Sequence, residues 1–305
     1  MRLSNKSFMF VLLAGLIWGT SFPLVRYTLF ISDFWTLLVY RFTFASIASL
    51  IASFLIFKKD WLKEMKIMGN KYVFILSLFV FLGYLFESMG QELTTSGKAS
   101  LLVTTSIIYV VIFGALWLNE KFSKVKVIGV AMGISGIVFL TIFQDINSLL
   151  GGSLIGDLLC AAAGAVWGFY IIISKHYMKN DDKFNTLSVN FGVTFYSSLM
   201  YLIPSFFFMQ YIIVFSFNFI YLVYVIYLGV ICTILAYIFY YKGLEEIEAT
   251  TSNIILLSQI VVAILLGLFF LNENITLFFI IGSALIVGAV ILINIHEGKT
   301  DGSKN

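Results

Sequence analysis

Charge is what this chain has least of: Asp, Glu, Lys and Arg make up 11% of its 305 residues, against about 25% in soluble globular domains. That shortage excludes a water-soluble globular fold. Cysteine occurs twice, at Cys160 and Cys232, each inside an apolar run, which leaves no disulfide framework and no thiolate metal cluster. The two histidines, His176 and His296, stand far apart at the ends of apolar runs, as solvated residues would, and offer no metal-ligand spacing. No GxxxxGKS or GxxxxGKT stretch is present to cradle phosphate, and no basic stripe with interleaved aromatics lies outside the apolar runs. ATP-driven work and nucleic-acid binding are therefore set aside. No Ser/His/Asp or Cys/His constellation suggests an enzyme, and neither cofactor nor metal is expected.

What is there is apolar, with 60% hydrophobic residues and a mean hydropathy of +1.00. Long apolar runs broken by short polar clusters predict ten spans, at 8–29, 34–57, 72–92, 97–118 and 125–143, then 154–176, 187–208, 219–243, 249–271 and 276–295. The spans leave no room for a separate soluble domain. With the N-terminus inside, every Lys and Arg except Arg26, Arg41 and Lys98 falls on the cytoplasmic side, so both termini are expected there. The fold class that follows is an all-α, multi-pass cell-membrane protein of ten transmembrane helices.

The chain is also written twice. Leu118-Asn119-Glu120 recurs as Leu271-Asn272-Glu273 at an offset of 153, which also maps Gly129 onto Gly282, Gly90 onto Gly243, Tyr84 onto Tyr237 and Leu82 onto Leu235. Trp18-Gly19 recurs as Trp167-Gly168 at an offset of 149. An odd number of spans per copy makes the second copy enter the membrane from the opposite side, as in inverted-repeat carriers that bind solute near the midplane. The expected division is 1–148 and 149–296, with a short disordered cytoplasmic tail at 297–305.

Ala14-Gly15-Leu16-Ile17-Trp18-Gly19-Thr20-Ser21-Phe22 resembles the opening signature of the drug/metabolite transporter superfamily, in its EamA-like ten-span branch. The stretch from Gly83-Tyr84 to Gly90, then Thr94-Thr95-Ser96-Gly97-Lys98-Ala99-Ser100, the Leu-Asn-Glu end and Gly129 resemble its third to fifth spans. The second copy repeats them through Gly243, Thr250, Thr251, Leu271-Asn272-Glu273 and Gly282. The resemblance implies movement of amino acids or other small amphipathic metabolites, often export. One departure is that Ile107 and Ile260 occupy the positions where the family usually has proline, which takes away the residue that would break those helices.

Several residues are candidates for solute binding. Arg41 lies inside the second span, where a charge needs a partner or water, and helix rise puts Glu87 at a similar depth. Arg41 is therefore expected to hold Glu87 or a solute carboxylate, with Glu87 titrating and protons as the candidate coupling ion; a static ion pair between helices is the plainer reading. Tyr84, Glu87, Ser88 and Gln91 share one helical stripe. Lys98, Thr105 and Tyr109 share another, and the repeat sets Thr251 and Ser258 opposite, with Asn253 and Gln259 nearby. These either line a cavity or bond helix to helix, and Lys98 is equally suited to snorkelling. Trp18, Trp167, Tyr84 and Tyr237 recur in both copies and suit stacking on a flat or apolar solute. Gly15 with Gly19, Gly129 with Gly133, and Gly164 with Gly168 are close-packing pairs. Glu120 and Glu273 read as caps or anchors. Pro23 is a candidate hinge. The expected partners are a small solute and the lipid bilayer, and the expected activity is alternating-access transport. Against it stand a lipid-handling membrane protein and a channel or receptor without carrier activity.

Overall fold

The computed structural model describes residues 5–93, 99, 102–120, 123–139, 153–180, 184–205, 219–271 and 277–300. In lipid every backbone polar group must be bonded within its own segment, so apolar runs of this length become helices. The principal ones are α1 (Asn5–Leu29), α2 (Phe34–Phe57), α3 (Lys71–Leu93), α4 (Ser106–Leu118), α5 (Lys124–Val138), α6 (Leu154–Asn180) and α7 (Thr186–Ser205). They are followed by α8 (Phe219–Leu244), α9 (Ala249–Leu256), α10 (Ser258–Leu271) and α11 (Leu277–Thr300). Among the described residues, 5 helices are long and apolar enough to cross a membrane, and shorter apolar helices cover Leu102–Leu118, Ala249–Ala263 and Ile280–Ile293. This is an all-α bundle that spans a membrane several times.

Polarity is arranged as lipid demands. Phe54, Leu55, Leu116, Leu154 and Ile155 are exposed, while Ser77, Ser174, Ser188, Asn190, Thr233, Thr250 and Ser252 are buried between helices. Because apolar surface gains nothing by leaving lipid for a helix neighbour, close packing and interhelical hydrogen bonds carry the association. Tyr201 donates to the Phe81 carbonyl at 2.7 Å, Ser197 to that of Ser77 at 3.1 Å, and Asn190 Nδ2 to that of Ile234 at 3.1 Å.

The packing carries the offsets seen in the sequence. A Cβ built on Gly15 would lie 2.7 Å from Ser258 Oγ, and one on Gly164 would lie 2.6 Å from Thr105 Oγ1. A Cβ on Gly90 would meet Cys160 and Gly156, and one on Gly243 would meet Val11 and Ser7. Thus α1 packs against α8 and α10 as α6 packs against α3 and α4, and the small residues let the backbones approach.

The helix breaks survive without proline. Ile108 N bonds Thr105 O at 2.9 Å, and Ile260 N bonds Leu257 O at 3.0 Å, so each span tightens for one turn at these points. At the first, Thr105 Oγ1 donates to Leu102 O at 2.6 Å, drawing off a carbonyl that the regular ladder would use. Helix α1 is continuous through Pro23. Helix α11 extends through Thr300, four residues into the stretch expected as an irregular tail; 301–305 lie outside the described residues.

At one end of the bundle the acidic turn Glu245–Glu248 gathers several elements. Thr186 donates to Glu245 at 2.8 Å, Ser7 bonds Glu246, Lys126 pairs with Glu248, and Lys175 bonds the carbonyls of Leu244 and Glu245. Asn119 adopts a left-handed conformation, φ 55, that ends α4. Glu120 is thereby carried over the start of α9, where it accepts from Ala249 N at 2.6 Å and Thr250 N at 3.1 Å. Glu120 is thus the cap that the sequence suggested. Glu273 lies outside the described residues.

Candidate functional site

A central cavity opens among α1, α3, α6, α8, α9 and α10, bordered also by Val103 and by Ser106 of α4. Each wall residue sits where helix periodicity repeats an inward position. On α1 these are Trp18, Ser21 and Phe22; on α3, Tyr84 and Glu87; on α6, Trp167, Tyr170 and Ile171; on α8, Tyr237 and Tyr240. Asn253 and Leu256 come from α9 and Gln259 from α10.

The two tryptophans are equivalent in sequence and differ in partner. Trp167 Nε1 donates to Glu87 Oε2 at 2.9 Å. Trp18 Nε1 donates to the Cys232 carbonyl at 2.8 Å, inside the π-helical stretch Val230–Leu235 of α8. The widened turn frees carbonyls from the regular ladder. At the sequence offset of 153 the position corresponding to Glu87 is Tyr240, so this carboxylate has no counterpart there. Glu87 Oε1 also accepts from Gln91 Nε2 at 3.2 Å.

Rings close around this carboxylate. Tyr84 meets Trp167 edge-on with centroids 4.9 Å apart, Trp18 meets Tyr237 edge-on at 5.2 Å, and Trp18 lies tilted on Tyr240 at 5.5 Å. Toward the Glu245–Glu248 turn the tyrosines form a floor, with the hydroxyls of Tyr170 and Tyr241 at 2.6 Å. Phe22 is fifteen residues beyond Ser7 on α1, about 22 Å at helical rise. The cavity therefore extends on the side of the floor away from that turn.

Arg41 departs from its expected place. It does not pair with Glu87: its Nε donates to Thr233 Oγ1 at 3.0 Å, its Nη2 donates to Tyr84 Oη at 3.1 Å, and its guanidinium lies 4.2 Å from the Tyr84 ring centroid. The π-helical turn, where Thr233 in turn donates to Leu228 O at 2.9 Å, presents an acceptor closer than any carboxylate. Arg41 is buried behind the wall and supports Tyr84.

Of the other expected residues, Tyr84, Glu87, Trp18, Trp167, Tyr237, Asn253 and Gln259 come together on the wall. Thr105 and Tyr109 pack instead on Gly164 and Gly168, and Ser258 on Gly15. These three occupy helix contacts. Lys98 lies outside the described residues. Tyr170, Tyr240 and Ser21 join the wall unannounced, although each follows an expected wall residue by three positions, the spacing that shares a helix face. Among the described residues no three His, Cys, Asp or Glu side chains come together to hold a metal ion.

A membrane-spanning helical bundle around a central aromatic cavity is the architecture of a solute transporter. The chain belongs to the EamA-like transporter family, whose sequence profile matches it twice, over residues 5–142 and 154–295. It is 24% identical over 294 residues to an uncharacterized transporter of Archaeoglobus fulgidus, covering 95% of this chain and 98% of the relative. It is 28% identical over 220 residues to the uncharacterized transporter YoaV of Bacillus subtilis, covering 70% and 71%. A solved crystal structure superposes with a TM-score of 0.74 at 18% identity, covering 97% of this chain and 99% of the other; that likeness concerns the fold. The chain is a multi-pass membrane transporter.

Proposed function

We propose that the chain is a secondary carrier that moves small amphipathic metabolites, amino acids among them, by alternating access, exporting its solute in exchange for protons bound at Glu87. Its halves, 1–148 and 149–296, form two inverted repeats of five spans with both termini in the cytoplasm. The double family match and the recurrence of the glycine contacts at the sequence offsets support the repeat. The orientation rests on the distribution of Lys and Arg, which puts the Glu245–Glu248 turn on the cytoplasmic side and the cavity toward the outside.

The observation that carries the reading is Glu87: one carboxylate on the wall of a cavity to which helices of both halves contribute. A charge kept at such depth is a functional candidate by its cost alone. Transport then requires the polar ties of the Glu245–Glu248 turn to release while the opposite end closes. In proteoliposomes with an imposed pH gradient, wild type accumulates solute and Glu87→Gln does not. Full gradient-driven accumulation by Glu87→Gln contradicts proton coupling at this residue.

A further inference from the structure

The cavity wall is one-sided in charge. Among the described residues its charged group is Glu87, and the carboxylate is met by neutral donors, the Trp167 indole and the Gln91 amide. Trp167, Tyr84, Trp18 and Tyr240 surround the same space, and aromatic faces attract cations through their quadrupole. Among the described wall residues a solute carboxylate finds no cation. The nearby guanidinium, Arg41, is buried behind Tyr84 and already engaged by Thr233 and Tyr84. An anion brought out of water without a cation bears its full desolvation cost.

Two further groups define the remainder of the solute. Asn253 and Tyr240 border the cavity, and Asn253 Nδ2 and the Tyr240 hydroxyl are buried without a hydrogen bond within the protein. Both can donate to an oxygen, such as a hydroxyl or carbonyl of the solute. We propose that this site takes an amphipathic organic ammonium, an amine on an aromatic or apolar body with at most neutral oxygens, in preference to the zwitterionic amino acid of the same body. The assignment rests on the carrier reading and narrows its solute class.

Four probes of one shape separate the charges: tyramine, tyrosine, 4-hydroxyphenylacetate and p-cresol. Binding to the purified full-length protein is read by titration calorimetry, and movement by counterflow in proteoliposomes. Tyramine binds at least about tenfold more tightly than tyrosine or p-cresol, a difference of about 1.4 kcal/mol, and 4-hydroxyphenylacetate binds weakest. Glu87→Gln lowers tyramine to the level of p-cresol, and Glu87→Asp restores part of the difference. The wild-type ranking stands on its own should Glu87→Gln fail to fold. Tyrosine binding as tightly as tyramine, tyramine binding no tighter than p-cresol, or a folded Glu87→Gln keeping the preference overturns the ammonium assignment. Counterflow of tyrosine without preference for tyramine leaves the carrier standing and removes the ammonium. Preferential tyramine binding without counterflow of any probe does the reverse.

Discussion

A charged side chain inside a membrane span is visible in a sequence because it is expensive, and Arg41 and Glu87 stand out for that reason. What each one touches is less visible. Helix rise gives the depth of a residue from its position, but the direction in which it faces depends on how the helices are turned against one another. Depth placed Arg41 level with Glu87; the rotation of α2 against α8 gave it Thr233 and Tyr84 instead. The π-helical stretch that presents Thr233 has no signature in the run Val230–Leu235. A planar fork is required there, since Nε and Nη2 bond different partners while the guanidinium lies over a ring. Arg41→Lys keeps the charge and loses the fork, and is expected to cost about 1–3 kcal/mol, seen as a lower Tm in detergent. A wild-type Tm would show that the fork contributes nothing.

At the scale of helices, the Leu-Asn-Glu motif acquires a physical meaning. Asn119 ends α4 in a left-handed conformation, and Glu120 then reaches the first two amides of α9. The sequence showed the motif as a boundary, while the identity of the capped helix required the tertiary fold. The helix breaks were illegible for a related reason: without proline the tight turns rest on local hydrogen bonding at Thr105 and on packing. The glycine pairs, in contrast, could be read directly, because close approach leaves no room for a side chain. Their costs should differ. A methyl on Gly164 meets the Leu102 carbonyl at 2.7 Å, which is backbone, whereas one on Gly15 meets the Ser258 hydroxyl, which can turn away. Gly164→Ala should therefore lose about 1–3 kcal/mol and Gly15→Ala distinctly less, by thermal unfolding of both variants. Equal losses would mean that the backbone at Leu102 yields as readily as a serine rotamer.

For the whole molecule, the Glu245–Glu248 turn is where polar ties from several helices meet. Residues from α1, α5, α6 and α7 converge on the Glu245–Glu248 turn, and the tyrosine floor lies between that turn and the cavity. Opening that end must break the Lys126–Glu248 pair, so Lys126→Ala should raise the share of molecules open there. A Tyr240→Cys reporter, in a background with Cys160→Ala and Cys232→Ala, reads this through an impermeant maleimide applied from the side of the turn. Labelling should become severalfold faster in Lys126→Ala; an unchanged rate would place the barrier elsewhere.

If the aromatic cavity around Glu87 carries a solute from one side of the membrane to the other, the purified protein exchanges that solute across a sealed bilayer. Counterflow tests it most directly: purified protein in sealed proteoliposomes, loaded with a mixture of amino acids and amphipathic amines, is offered the same compounds labelled outside. Saturable exchange that is lost or reshaped in Glu87→Gln is the expected result. Flux that rises linearly with concentration would mark a channel, and the absence of exchange in sealed vesicles containing folded protein would contradict the carrier itself.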